Sequence, residues 1–158
     1  MYILLVFLHT IFGGDNMDNN INTLDELNKG CCMGIDALGF IIDKIDEDKF
    51  KKLLEKQLNE YHEFSDRINE LYSDYTDNSI HETNFMEKAM TWYGINKDMV
   101  MDKSVSKVAD LLINGTNMGI IEGQKLLNNK TMDKKVHKIC KEYVKMQQAY
   151  INKLKEFL

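Results

Sequence analysis

"IIDKIDEDKFKKLLEKQL", residues 41–58, decides the fold. Apolar residues recur every three or four positions up to Ile45 and again from Phe50, but Asp46-Glu47-Asp48 between them offers none. Consecutive acids suit the amino end of a helix, where unpaired N–H groups carry partial positive charge. The stretch therefore reads as one helix ending near Ile45, a tight reversal and a second helix beginning: an α-hairpin.

Upstream, Thr23-Leu24-Asp25-Glu26 has the form of a capping box, T-x-x-E, and predicts the start of the first helix. Its stripe is Leu24, Leu27, Cys31, Gly34, Leu38, Ile41 and Ile45, widened by Ile35 and Ile42. Downstream, Phe50, Leu54, Gln57 or Leu58, Tyr61, Phe64, Ile68, Leu71 and Tyr75 line the second helix, which breaks at Thr76 to Ser79. Ser79-Ile80-His81-Glu82 is another capping box, opening a short helix through Met86, Ala89, Met90 and Tyr93 that Gly94 and Asn96 close. A further stripe, Val105, Val108, Leu112, Gly115, Gly119, Glu122 and Leu126, starts near Asp102 or Ser104 and stops at Asn128-Asn129. Thr131 caps the last helix, lined by Val136, Cys140, Tyr143, Gln147, Tyr150, Leu154 and Phe157. Four long helices and one short one are implied, with residues 75–103 too long for a tight turn and so expected to run back along the bundle.

Composition agrees with an all-α class in one domain: 158 residues, 44% hydrophobic, and no proline to interrupt a helix. A net charge of −5 of mixed sign gives no continuous basic face, so nucleic acid is not an expected partner. The three cysteines, with Cys31 and Cys32 adjacent, form neither a disulfide framework nor a paired metal knuckle. Cys31, Cys32 and Cys140 read as small hydrophobes in a reducing cytoplasm, a redox or soft-metal role being the alternative.

The opening "MYILLVFLHTIF" is apolar but too short to span a bilayer and lacks the basic start and cleavage site of a secretory signal. Gly13-Gly14-Asp15-Asn16 can be encoded by a purine-rich tract of ribosome-binding type ahead of Met17, and one arginine among 19 lysines suggests an AT-rich bacterial genome. Residues 1–16 are therefore expected to be translated leader or a disordered segment outside the fold, with residues 17–158 forming the bundle. Attachment to a membrane through residues 1–12 is the competing expectation, and no membrane association is the preferred one.

Two glycine ladders stand out, Gly30-x-x-x-Gly34 and Gly115-x-x-x-Gly119-x-x-x-Gly123. Each helix-interior glycine costs up to about 1 kcal/mol relative to alanine, so five ask for a reason. Close approach of two backbones is the expected one; room for Tyr61, Tyr143 or Trp92, or space for a ligand, are the alternatives. Dinuclear metal bundles need Glu-x-x-His on two helices plus a glutamate from each of the others. That spacing is missing: Asn59, Asn78 and Lys134 stand three residues before His62, His81 and His137, and Asp25, Asp36 and Asp43 share a polar face of the first helix. Glu122 is the one acid in a stripe and the best single candidate for an unusual buried site, opposed by the reading in which it reaches water. The methionines, among them Met86, Met90, Met99, Met101 and Met118, read as core filling, and Lys134, Lys135, Lys138, Lys141 and Lys145 as a solvated face. No catalytic, cofactor-binding or metal-ligating residue is assigned, and no cofactor is expected.

With "MGIDALGF" (33–40), "LLEKQLNEYHEF" (53–64) and "LLINGTNMGIIEGQKLL" (111–127), the chain resembles small bacterial proteins of the ferritin-like superfamily. The resemblance implies a four-helix bundle with one long crossover between helices two and three that holds the short extra helix. The expected function is a soluble, cytoplasmic, non-catalytic bundle acting by protein–protein contact, with a homo-oligomer or protein partner. The alternative is a metal-binding bundle, an oxidoreductase or a metal store, using Glu60, His62, Glu122 or His137.

Overall fold

Absence of proline and the 3.6-residue periodicity produce an all-α chain, seen in a computed structural model that describes residues 2–80, 86–95 and 104–158, with side-chain surroundings from Asn16 onward. The helices are α1 (Tyr2–Ile42), α2 (Asp48–Tyr72), α3 (Met86–Trp92), α4 (Val105–Asn129) and α5 (Lys134–Leu154), followed by a 3-10 turn at Lys155–Phe157. No strand occurs among the described residues, and none of the helices searched there is long and apolar enough to cross a membrane.

The hairpin at residues 43–47 forms as expected. Glu47 is the N-cap of α2, and its carboxylate accepts from the Lys49 and Phe50 amides. From there Phe50, Leu54, Gln57, Tyr61, Phe64, Ile68 and Tyr72 enter the core, so Gln57 is the buried member of the Gln57/Leu58 pair and Tyr72 takes the place expected of Leu71 and Tyr75. At the end of α3, Gly94 has φ 64°. Its amide bonds to the Thr91 carbonyl while the Ile95 amide reaches back to that of Met90, a Schellman closure that only glycine adopts without strain. Asn96 and the His81-Glu82 half of the second capping box lie outside the described residues.

Two helix boundaries differ from the expected ones. α1 does not begin at Thr23; it runs unbroken from Tyr2, and Thr23 is wholly buried in mid-helix with its hydroxyl unpartnered. A capping box needs an exposed first turn, and this one is covered. The backbone carries no break at Met17, and the Asn16 amide donates to the Asp133 carboxylate at 2.7 Å. The N-cap of α5 is Asp133, not Thr131. Its carboxylate makes no capping bond because it is taken up by Asn16 and by the Tyr75 hydroxyl, while its own amide donates to the Asn20 side chain. One residue thus pins α1 and the end of α2 to the start of α5.

Packing is dominated by two helical hairpins, α1 on α2 and α4 on α5, with α3 lying against α1. Aromatic pairs join α2 to α5 and to the 3-10 turn after it: Phe50 with Phe157 of the turn (centroids 4.8 Å), Tyr61 with Tyr150 (6.0 Å) and Phe64 with Tyr143 (5.9 Å). α1 and α4, in contrast, barely touch, and a cleft lies between them.

Candidate functional site

Gly30 of the first ladder and all three glycines of the second line one gap. A cleft of about 370 Å³ opens between α1 (Asn22, Glu26, Leu27, Gly30, Met33) and α4 (Gly115, Gly119, Glu122, Gly123, Leu126), with Tyr143 and Gln147 of α5 as its floor and Tyr93 at one end. The close-backbone reading of the ladders is therefore corrected. What would meet a Cβ at these positions is side chain: the Tyr143 hydroxyl at Gly30, the Tyr61 ring at Gly34 (2.6 Å), the Tyr93 ring at Gly115, the Gln147 amide at Gly119 (2.9 Å) and Val144 at Gly123 (2.7 Å). Three tyrosines each take space that only glycine leaves, and Tyr143 does so between Gly30 of α1 and Gly119 of α4. Room for bulky neighbours, one of the two alternatives for the ladders, describes the contacts, with Tyr61 and Tyr143 as expected and Tyr93 besides; the Trp92 side chain lies outside the described residues.

Beneath the cleft runs an uncharged polar network. Tyr61 donates to Gln147 Oε1 at 2.6 Å, and Gln147 Nε2 donates to the Tyr143 hydroxyl at 2.9 Å. The Tyr93 hydroxyl lies beside that of Tyr61. Burial is the main cause that lifts the ionisation of all three tyrosines, with their mutual proximity adding to it for Tyr61 and Tyr143; Tyr93 is pushed up to about 12. These groups are neutral hydrogen-bonding phenols at any physiological pH. Because Gln147 serves both Tyr61 and Tyr143, removing one partner strands a buried polar atom. Tyr61→Phe and Gln147→Leu are each expected to cost about 1–3 kcal/mol. The double variant should cost less than their sum by about 1 kcal/mol, read from urea unfolding as a double-mutant cycle; strict additivity would mean that the bond is not formed.

The cleft's lips carry the charge. Glu26 pairs with Lys29 on α1 (3.7 Å) and Glu122 with Lys125 on α4 (2.8 Å), exposed pairs that contribute little stability but hold opposite charges together at the rim. Glu122 is thus a rim residue that reaches water, the reading set against a buried site: Gly119 and Gly123 face the gap, and Glu122, one residue or about 100° from Gly123, is exposed.

The other metal candidates do not converge. Glu60 accepts from the Tyr150 hydroxyl (2.8 Å), while His62 and His137 are exposed. No group of three or more His, Cys, Asp or Glu side chains capable of holding a cation occurs among the described residues. Cys31 and Cys140 are buried and Cys32 half-buried, all as free thiols. Burial, aided by adjacent Cys32, raises Cys31, and burial lifts Cys140 to about 11, so neither supplies a thiolate near neutrality. Met90 packs on the core and Met118 is exposed; Met99 and Met101 lie outside the described residues, as does the Met86 side chain. Lys134, Lys135, Lys138, Lys141 and Lys145 form an exposed face in which Lys135 pairs with Asp74 and Lys138 with Glu142.

Sequence reasoning missed Tyr93 and Gln147 as site residues. The available signal was Gln147, a polar residue in an otherwise apolar stripe, which by the cost of burying an amide had to have partners. No protein-family model, no curated protein and no solved structure matches this chain.

Proposed function

We propose that this chain is a non-catalytic, ferritin-like helical bundle that works by binding, and that its working surface is the cleft between α1 and α4, which takes a small molecule. The observation that carries this reading is a cavity of about 370 Å³ at the small end of the usual ligand-pocket range of about 300–1,000 Å³, with an apolar wall and a floor of a few convergent polar groups. The long α2–α4 connection with α3 inside it supports the ferritin-like part. Where metal-carrying bundles of that type point carboxylates and imidazoles inward, the groups at this bundle's centre are Tyr61, Tyr93, Tyr143 and Gln147, which suit binding better than redox or hydrolytic chemistry. Buried free thiols favour a cytoplasmic setting.

Chemical-shift mapping of the labelled full chain against a set of small amphipathic compounds tests the proposal. Shifts concentrated at Gly30, Gly119 and Gly123 are expected; shifts elsewhere, or none, would overturn it. Protein–protein contact is a second reading, favoured by Met118 and Ile121, large apolar side chains 42% and 46% exposed on α4. Dissociation of an oligomer by Ile121→Asp in sedimentation would support it.

A further inference from the structure

The floor of the cleft says more about its occupant than its volume does. Tyr143 is only 3% exposed, yet it lines the cavity, and its hydroxyl lies between Gly30 of one wall and Gly119 of the other. That oxygen accepts from Gln147 Nε2, while Gln147 Oε1 accepts from Tyr61. The hydroxyl of Tyr143 donates to no acceptor among the described residues, while its oxygen is held in place by the amide. A buried hydroxyl fixed on its accepting side and unspent on its donating side favours a ligand that brings an acceptor.

Charge narrows the class. Leu27, Met33, Tyr93 and the glycines line the interior; Lys29 and Lys125 line it too, but their side chains are exposed toward the rim and each is already paired with a glutamate. Lys130, at the carboxyl end of α4, has no ion-pair partner among the described residues, but it stands where the helix's own free carbonyls disfavour an anion. A carboxylate drawn to the floor would lose its hydration with only neutral phenols and an amide to replace it, and an ammonium would meet a donor.

We propose that the cleft selects an uncharged, mostly apolar small molecule, flat enough to lie between the glycine walls, that carries one hydrogen-bond acceptor of carbonyl type, and that Tyr143 donates to that acceptor. This rests on the cleft being the binding surface and adds which chemistry it prefers and which residue sets the preference.

Three probes of one shape separate the possibilities: 2-acetylnaphthalene with its carbonyl, 2-isopropylnaphthalene with a hydrocarbon group in its place, and 2-naphthoate with a charge there. Affinities for the full chain are measured by titration calorimetry, with chemical-shift mapping to locate each probe. The ketone should bind roughly tenfold more tightly than the hydrocarbon, the difference one net hydrogen bond makes, and the carboxylate more weakly than either. In Tyr143→Phe the ketone's advantage over the hydrocarbon should disappear, with both probes still shifting the cleft residues, which also reports that the cleft is still folded. Equal wild-type affinities for ketone and hydrocarbon at the cleft would overturn the selectivity and leave the cleft as a binding surface. So would tightest binding of the carboxylate. No probe shifting the cleft residues would overturn both. The wild-type comparison decides the matter even if Tyr143→Phe fails to fold.

Discussion

Raising the pH above 10 is expected to unfold the bundle, with its buried tyrosines ionising as it unfolds and not before. In the unfolded chain a tyrosine loses its proton near 10. In the folded chain Tyr61, Tyr72, Tyr75, Tyr93, Tyr143 and Tyr150 are all shifted upward, in each case chiefly by burial. Between those values the native state holds more protons than the unfolded one, so stability is intact below pH 10 and falls as pH rises through it. The fully buried network dominates. Tyr61, Tyr93 and Tyr143 each lose up to about 1.4 kcal/mol per pH unit, so together they remove about 4 kcal/mol by about pH 11, a large share of the ~5–15 kcal/mol that holds a typical domain. Tyrosinate absorbance and far-ultraviolet circular dichroism, recorded along one pH titration, should change together. A gradual tyrosine titration centred near 10 with helicity retained would mean that the phenols reach water and that no buried network joins them.

The helices were legible in the sequence where periodicity and local chemistry agreed. The acidic reversal after Ile45, the break after Asn128 and the Gly94 closure all express short-range preferences, and each is found within a few residues of its expected place. The expectations that missed depend on neighbours far along the chain. Thr23 has the spacing of a cap but sits mid-helix and buried, and Asp133 outranks Thr131 because Asn16, Asn20 and Tyr75 converge on it. The site was half legible. Five helix-interior glycines announced that something needed space, and Tyr61 and Tyr143 were among the residues named for it. Which of backbone, ring or ligand fills that space is a question of distance between helices, and a one-dimensional pattern carries no such distance. Glu122 shows the same limit at finer scale: a stripe position fixes a rotation to within about one residue, enough to turn a buried acid into a rim acid.

Two alanine substitutions on one helix separate what glycine costs from what it permits. At Gly39 an added Cβ has nothing within 4 Å, so Gly39→Ala should stabilise by about 0.5–1 kcal/mol through helix propensity alone. At Gly34 the same atom would stand 2.6 Å from Tyr61 Cε2 and 2.8 Å from Cζ. Tyr61 has no exposed surface, and its hydroxyl is held by Gln147, so the ring has no cheap direction in which to move. Overpacking of this kind costs about 1–3 kcal/mol, more than propensity returns, and Gly34→Ala should be net destabilising. Propensity favours both equally, so the two variants should differ by the overpacking cost of about 1–3 kcal/mol, which for a chain of this size separates their thermal midpoints by very roughly 2–12 °C. Combining Gly34→Ala with Tyr61→Leu tests the cause, because shortening the ring removes the clash. The combined variant should lose less than the two single losses added together. If Gly34→Ala instead stabilises as much as Gly39→Ala, no ring occupies that space, and room for Tyr61 is not what Gly34 supplies.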